Sequence, residues 1–503
     1  MISTTDLIKK IGPPNTKMLI GGEWAPAHSG RTYPVISPID GAEIASMPEA
    51  GPEDVERTIE AARESSEKWA KTSALKRSEY LLTIANLIRD SADDLSKVIT
   101  AENGKVLESS KGEVNRAIGI LTACAEEGKR IYGTVYPSDA SMNVPAETSF
   151  DGLVLSIREP YGVAVAIPPY SDPLSSTMYK LAPPLAAGNT VILKAPPQTP
   201  LTPIYIGWLA QKAHLPDGVF NIVSSSGPAP GEQLVRSPRT DCVTFTGSTE
   251  TGLKIYEAAA KTNKKILLEM SGSDPMIVLE DADLGKAVAD AIKARFHNAG
   301  QICAAAKRLL VHKSIVALFK ERFVSEAQKI VVGNPYESTT AMGPLVDRKS
   351  VTRIHGYVET TIGQGARLLL GGKLLSSQAG FASGCYYPPT VLENVRGDME
   401  AAKRELFGPV APIIEIESDD EALDVANSSA FGLQAAVYTR DLKRALLIGR
   451  GLKCGGVMIN EPPFVRWENI PFGGEKLSGL GRDCAQASIQ ELTRIKIINL
   501  GLK

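Results

Sequence analysis

The chain has 503 residues, 43% of them hydrophobic and 22% charged, and its 55 Lys and Arg nearly cancel 57 Asp and Glu, leaving a formal charge of −2. That length exceeds what one hydrophobic core serves and implies two to four units of an ordinary globular protein, not a disordered or fibrous chain. The balanced charge offers no field for a polyanion and argues against a nucleic-acid partner, while single basic side chains stay available to clamp an anionic substrate.

The longest apolar stretches, such as residues 163–169, fall far short of the ~20 residues of a bilayer span. The opening Met1-Ile-Ser-Thr-Thr-Asp6 lacks the basic and apolar regions of a signal peptide. Cysteines 124, 242, 303, 385, 454 and 484 show no CxxC spacing, which reads as free thiols in a reducing compartment; a cytoplasmic protein is expected. The five histidines stand apart, so no metal site is expected.

Helical periodicity marks residues 52–73, with Val55, Ile59, Ala62 and Trp69 on one side, and a single helix over 76–102, with Tyr80, Leu81, Ile84, Leu87 and Ile88 at three- and four-residue spacings. From Gly162 the pattern alternates. Strands are expected at 163–167, 190–193, 219–223, 243–245 and 265–268, with a helix ending at Gly188-Asn189 and another capped by Thr202 with Pro203 in its first turn. Strand and helix in turn imply a parallel sheet covered on both faces, with ligands at the carboxyl ends of its strands. A second α/β run starts near Asp281: a helix through Leu284, Val288, Ile292 and Phe296, a strand at 308–311, a helix over 313–330, a helix over 351–363 and a strand at 366–370.

Two segments carry chemistry. Phe296-His-Asn-Ala-Gly-Gln-Ile-Cys303-Ala-Ala-Ala-Lys-Arg308 sets a thiol in a glycine-bearing loop between helix and strand, where it can reach a cleft. Leu267-Leu-Glu269-Met-Ser-Gly272 sets a carboxylate directly after an apolar strand. Alone, each suits an ordinary structural role. Together they resemble the aldehyde dehydrogenase family, and the resemblance covers nearly the whole chain. Phe296, Asn298, Gly300, Gln301, Cys303 and Arg308 match its cysteine signature; Leu268-Glu269, Gly272 and Pro275 match its glutamate signature, with Ser271-Gly272-Ser273 in place of Gly-Gly-Lys. Phe245-Thr-Gly247-Ser248-Thr-Glu-Thr-Gly252, Glu405-Leu-Phe407-Gly-Pro409, Phe431-Gly-Leu433 and Pro471-Phe-Gly-Gly-Glu-Lys-Leu-Ser-Gly479 match four further motifs in order.

The resemblance implies an α/β fold in three parts: a Rossmann-like coenzyme domain (1–145 and 161–270), an α/β catalytic domain (271–485) and a small β oligomerisation arm (146–160 and 486–503) giving a dimer or tetramer. It implies NAD(P)-dependent oxidation of an aldehyde to its acid. Cys303 adds to the carbonyl, hydride leaves for the nicotinamide, and Glu269 activates the water that cleaves the thioester. A lowered pKa is expected for Cys303, supplied by the cationic nicotinamide and the helix-to-loop setting. Ile167, Pro168, Lys194, Pro197, Gly247, Ser248, Glu405 and Phe407 fall where the family binds coenzyme.

Three departures from the pattern bear on function. The family's Pro-Trp-Asn becomes Pro169-Tyr170-Ser171, so a hydroxyl on a shorter arm replaces the amide that stabilises the oxyanion, and Tyr170 is a candidate substrate contact. Lys-Pro-Ser-Glu becomes Lys194-Ala-Pro196-Pro197, which removes the carboxylate that repels a 2′-phosphate; NADP is expected to be accepted and slightly favoured over NAD. Ile302 precedes the cysteine where some relatives for phosphorylated substrates carry Arg. Arg130, in Glu126-Glu-Gly-Lys-Arg130, and Arg466, in Arg466-Trp-Glu-Asn-Ile-Pro-Phe472, resemble substrate arginines of the non-phosphorylating glyceraldehyde-3-phosphate and lactaldehyde branches. They suggest a short hydroxylated or anionic aldehyde. The rivals are a CoA-acylating semialdehyde dehydrogenase, disfavoured by Glu269, and a catalytically impaired binding protein of the same fold. A coenzyme-independent cysteine hydrolase would need a base other than His297, which lies too close in sequence to Cys303.

Overall fold

The computed structural model describes residues 3–137, 152–375 and 380–501. Its first sheet has eight strands in the order Glu23–Ala25, Met18–Ile20, Phe220–Val223, Thr190–Lys194, Val163–Ile167, Cys242–Thr246, Lys265–Glu269 and Gly479–Leu480. The five central strands run parallel. They are buried almost throughout, as the continuous Val, Ile and Leu of strands covered on both faces require. From Val163–Ile167 the chain steps outward through Thr190–Lys194 to Phe220–Val223, then returns to the opposite flank with Cys242–Thr246 and Lys265–Glu269. The carboxyl ends of Val163–Ile167 and Cys242–Thr246 therefore border the crevice of a topological switch point.

The second sheet has seven strands in the order Arg367–Leu370, Thr390–Glu393, Val410–Ile416, Ala306–His312, Asp274–Val278, Gln434–Tyr438 and Gly456–Ile459. Helices Leu284–Phe296 and Val316–Gln328 pack over it, where Phe296, Phe323 and Phe319 stack with ring centroids 5.9 and 5.6 Å apart. A third sheet pairs Thr493–Gly501 with Gly152–Pro160 over nine registered positions, and Val135–Tyr136 joins its other side. Residues 146–151 and 502–503 of the expected arm lie outside the described residues. Two strands cross the expected partition: Val135–Tyr136 belongs with the arm, and Gly479–Leu480 pairs antiparallel with Lys265–Glu269 in the first sheet. All six cysteines are free, and no helix among the described residues is long and apolar enough to cross a membrane.

Two local expectations are corrected. The single helix over 76–102 is two, Ala74–Asp90 and Ala92–Asn103, because Ser91 (φ −101°, ψ 10°) leaves the helical region and closes the first helix onto the Leu87 and Ile88 carbonyls. Thr202 is not an N-cap. Helix Leu201–Lys212 begins after Pro200, and its first amides are taken by buried Glu102, which accepts from the N–H groups of Leu201 (2.8 Å) and Thr202 (2.9 Å) and from the Thr202 hydroxyl. A distant carboxylate thus does the capping, which local sequence cannot reveal.

Helix Pro173–Ala187 is buried along almost its whole length and ends at Gly188, whose φ of +97° closes it in the left-handed region. A Cβ there would meet the Arg77 guanidinium at 3.4 Å. Gly188→Ala is expected to destabilise the protein by ~1–2 kcal/mol, read as a lower urea midpoint at unchanged m.

Candidate active site

The loop after helix Leu284–Phe296 is built by backbone that few residues adopt. Asn298, Ala299 and Gly300 take φ of +50°, +52° and +73° in succession, a strain that the surroundings must hold in place. Gly300 is obligatory, since a Cβ would stand 2.3 Å from the Gly408 carbonyl. Buried Arg295 donates to the carbonyls of Gly300 (3.0 Å), Leu406 (2.9 Å) and Gly408, tying the loop to the 405–409 segment. Asn298 Nδ2 donates to the Ser171 carbonyl at 3.1 Å, and Gln301 Oε1 accepts from Val346 N–H at 2.9 Å. The loop so fixed brings Cys303 to the end of strand Lys265–Glu269, where the thiol donates to Glu269 Oε1 at 3.2 Å.

The pair sits in a narrow cavity of about 50 Å³ that also touches Arg116, Ser171, Tyr179, Phe464, Arg466 and Phe472. Burial pushes the Cys303 thiol well above its ordinary range, and the Glu269 carboxylate pushes it further. Burial likewise raises Glu269, against the pull of Arg466. The expected low thiol pKa is therefore not a property of the chain alone. Of its own groups, Lys307 and then Arg466 act in the lowering direction. Glu269 meets the first need of a nucleophilic thiol, an acceptor for its proton within hydrogen-bond reach.

Arg466 lies deep in the cavity. Its guanidinium is sandwiched 3.7 Å from the Tyr179 ring centroid and 4.1 Å from that of Phe472. It approaches Glu269 and Asp483 at 3.7 Å each, and its Nε and one terminal nitrogen are buried without a hydrogen-bond partner. Asp483 is held by Lys180 at 2.6 Å. Burial works against its ionisation, but Lys180 and Arg466 outweigh it and hold the carboxyl below its ordinary range. At the mouth Asp172, also below its ordinary range despite burial, bonds Lys105 at 2.7 Å, and Lys105 bonds Glu113 at 2.6 Å.

Ser171, 7% exposed, lines the cavity. Arg116 was missed in the sequence. It lies on the exposed side of helix Leu107–Glu127 with no motif around it, and the packing of that helix on Pro173–Ala187 brings it to the mouth. Two expected substrate residues are elsewhere. Arg130 is spent on Glu127 (3.1 Å) and Glu126 (3.9 Å) and lines a separate groove with Arg158 and Gln490. Tyr170 turns from the cavity to pack edge-on against Phe407, with centroids 6.0 Å apart.

Ile167, Lys194, Gly247 and Ser248 stand at or just beyond the carboxyl ends of the strands around the switch point, where such sheets take dinucleotides. Lys194 ends its strand almost buried, and its Nζ donates to the Ser225 carbonyl at 3.2 Å, with two protons left over. Burial lowers this ammonium to about 8. Ile167 and Lys194 flank Gly231, where a Cβ would stand 3.9 and 3.8 Å from Ile167 Cδ1 and Lys194 Cγ. Pro168 follows Ile167 and is buried. Ser248 caps helix Thr249–Ala260 by accepting from Thr251 N–H. The Gly247 amide is already given to the Glu269 carbonyl at 3.1 Å, Thr249 N–H goes to Ser271 Oγ at 3.3 Å and Thr251 N–H to Ser248, which leaves the Glu250 amide of the first turn for an anion. Pro197 faces a neighbouring cavity of about 450 Å³ shared with Arg348 and Lys349. Glu405 points its Oε1 at Gly272 N–H (3.1 Å) and Lys307 (3.0 Å), beside Phe407.

Since the Glu269 anion raises the Cys303 pKa, removing its charge must lower it. Glu269→Gln is expected to move the pH profile of Cys303 alkylation by iodoacetamide, without coenzyme, to lower pH; an unmoved or upward-shifted profile would contradict the contact.

Residues 24–498 match the aldehyde dehydrogenase family. The chain is 37% identical over 484 residues to the succinate-semialdehyde dehydrogenase [NADP(+)] GabD of Escherichia coli, covering 96% of this chain and 97% of that protein. It is 36% identical over 482 residues to the 3-sulfolactaldehyde dehydrogenase of Pseudomonas putida, covering 96% of each. The structure of betaine aldehyde dehydrogenase from Staphylococcus aureus in complex with NAD+ superposes with a TM-score of 0.94 at 31% identity, over 99% of this chain and 97% of that one. With the thiol, the carboxylate and the crevice in one arrangement, the chain belongs to the aldehyde dehydrogenase family and is an NAD(P)-dependent oxidoreductase that converts an aldehyde to its acid.

Proposed function

We propose that the substrate is a short aldehyde with an anionic or hydroxylated tail, oxidised through a Cys303 thioester, with NADP slightly favoured over NAD. The observation that carries the tail's chemistry is the pair of arginines on the Cys303 cavity, Arg466 with unpartnered donors inside and Arg116 at the mouth. The small cavity supports a short substrate, and relatives named for succinate semialdehyde and 3-sulfolactaldehyde act on aldehydes with such tails.

Glu269 takes the thiol proton, and the thiolate adds to the carbonyl carbon to give a thiohemiacetal. Ser171, on the same cavity, is the side-chain donor proposed for the new oxyanion. When bound, the coenzyme supplies an acceptor for the hydride that leaves this carbon, and a thioester remains on Cys303. Glu269, once it has released the thiol proton to solvent, removes a proton from water as the water oxygen attacks the thioester, and that second proton goes to the departing thiolate, releasing the acid and the thiol. Contact between Glu269 and Cys303 favours water over CoA as the acyl acceptor, which an assay with and without CoA tests. Pro197 supports NADP, because it brings no carboxylate of its own to repel a 2′-phosphate, and the cavity it faces holds Arg348 and Lys349 against the single carboxylate Asp347. Exposed Leu153, Ile495, Ile497 and Leu500 on the arm support a homo-oligomer, and a cytoplasmic location is proposed with it.

A panel of neutral, hydroxylated and anionic aldehydes, run with each coenzyme, tests the reading. NAD(P)H release is expected to be fastest on anionic or hydroxylated aldehydes and absent in Cys303→Ser. A preference for NAD above about tenfold, ~1.4 kcal/mol, would overturn the coenzyme choice. Arg116→Gln is expected to raise KM for anionic aldehydes about tenfold and leave neutral ones unchanged. Ser171→Asn is expected to raise kcat on simple aldehydes; no increase would remove position 171 from the oxyanion site.

A further inference from the structure

The lysine expected in the glutamate signature is absent, since Ser273 occupies its place, yet a fully buried lysine reaches the same seam from the adjacent strand. Lys307, on Ala306–His312, has a side chain with no solvent exposure. Its ammonium donates to the Cys303 carbonyl and to Glu405 Oε1, the latter at 3.0 Å, and lies 5.7 Å from the Phe407 ring centroid. Glu405 Oε1 also accepts the Gly272 N–H at 3.1 Å. That oxygen is saturated, and the other is left to face outward on a side chain 18% exposed. On the opposite side the Cys303 carbonyl is confined by Gly272, where a Cβ would come within 2.7 Å of it. A buried ammonium is costly without such partners, so its position is determined by the two groups it joins.

We propose that Lys307 is a positioning residue that couples capture of the nicotinamide ribose at Glu405 to activation of the Cys303 thiol. The inference rests on the reading of Cys303 as nucleophile and Glu405 as ribose ligand. By fixing one Glu405 oxygen, Lys307 presents the other to the ribose hydroxyls. By fixing the Cys303 carbonyl, it sets the direction of the thiol. Its charge, held one residue's backbone away from the sulfur, stabilises the thiolate. Hydrogen bonds from a bound ribose draw on the Glu405 charge and leave more of the ammonium's field for the sulfur. Thiolate formation and coenzyme binding then favour each other by the same factor, as linkage requires.

The test follows Cys303 alkylation by iodoacetamide against pH in the full-length protein, with and without NADP, and NADP binding by calorimetry. In the wild type, coenzyme moves the alkylation profile to lower pH. In Lys307→Gln, the coenzyme-free profile is expected to move up by about one pH unit, a tenfold loss of rate below the inflection. The acceleration by coenzyme is expected to shrink and the Kd for NADP to rise about tenfold. Lys307→Arg, which keeps the charge, is expected to hold the profile near wild type, and if Lys307→Gln fails to fold, an arginine variant whose coenzyme-free profile moves up by about one pH unit overturns the charge role. A folded Lys307→Gln with wild-type profile, coenzyme acceleration and Kd overturns the proposal. If wild-type alkylation leaves turnover intact, the reading of Cys303 fails instead.

Discussion

The site depends on one contact: a half-buried thiol against a buried carboxylate at 3.2 Å. The carboxylate makes ionisation of the thiol harder, and burial penalises both charged forms. At rest the thiol keeps its proton and donates it to the carboxylate. Everything around it tips that balance. Arg466 and Lys180 stabilise negative charge on the carboxylate side, and Lys307 does so on the thiol side. A family that must make a thiolate at one step and a hydroxide equivalent at another gains from a single carboxylate whose protonation is poised, not fixed.

The scaffold explains how two such groups meet. Glu269 ends a parallel strand at the switch-point crevice of the first sheet, while Cys303 arrives on a loop bracing the second. Three consecutive left-handed residues are strained, and the Arg295, Asn298 and Gln301 hydrogen bonds hold them. Those bonds reach the 405–409 segment, Ser171 and Val346, so the nucleophile's geometry is determined jointly by both domains and the segment that bears Glu405.

Much of this was legible in the sequence. The parallel strands appear as apolar runs because burial on both faces demands it, and the signatures around Cys303 and Glu269 pointed to residues that the fold brings into contact. What was illegible was long-range. Glu102 caps a helix about a hundred positions away, so Thr202 looked like the cap. Arg130 sits in a segment resembling a substrate motif but is neutralised by its own helix neighbours, whereas Arg116 reaches the cavity only through helix packing. Lys307 looked like one more residue after a signature; its role depends on a glutamate nearly a hundred residues on.

The return of the chain to the first sheet has a mechanical meaning. Gly479–Leu480 hydrogen-bonds along the outer margin of the strand carrying Glu269, and Ser478 bonds at once to Met270 N–H (2.8 Å), the Ser271 carbonyl (2.7 Å) and Gly432 N–H (2.9 Å). A strand that would have been a loose border is stitched by a segment from the other half of the molecule. The halves cannot swing apart like a clamshell without tearing that seam, so the thiol and carboxylate keep their spacing whatever the outer loops do.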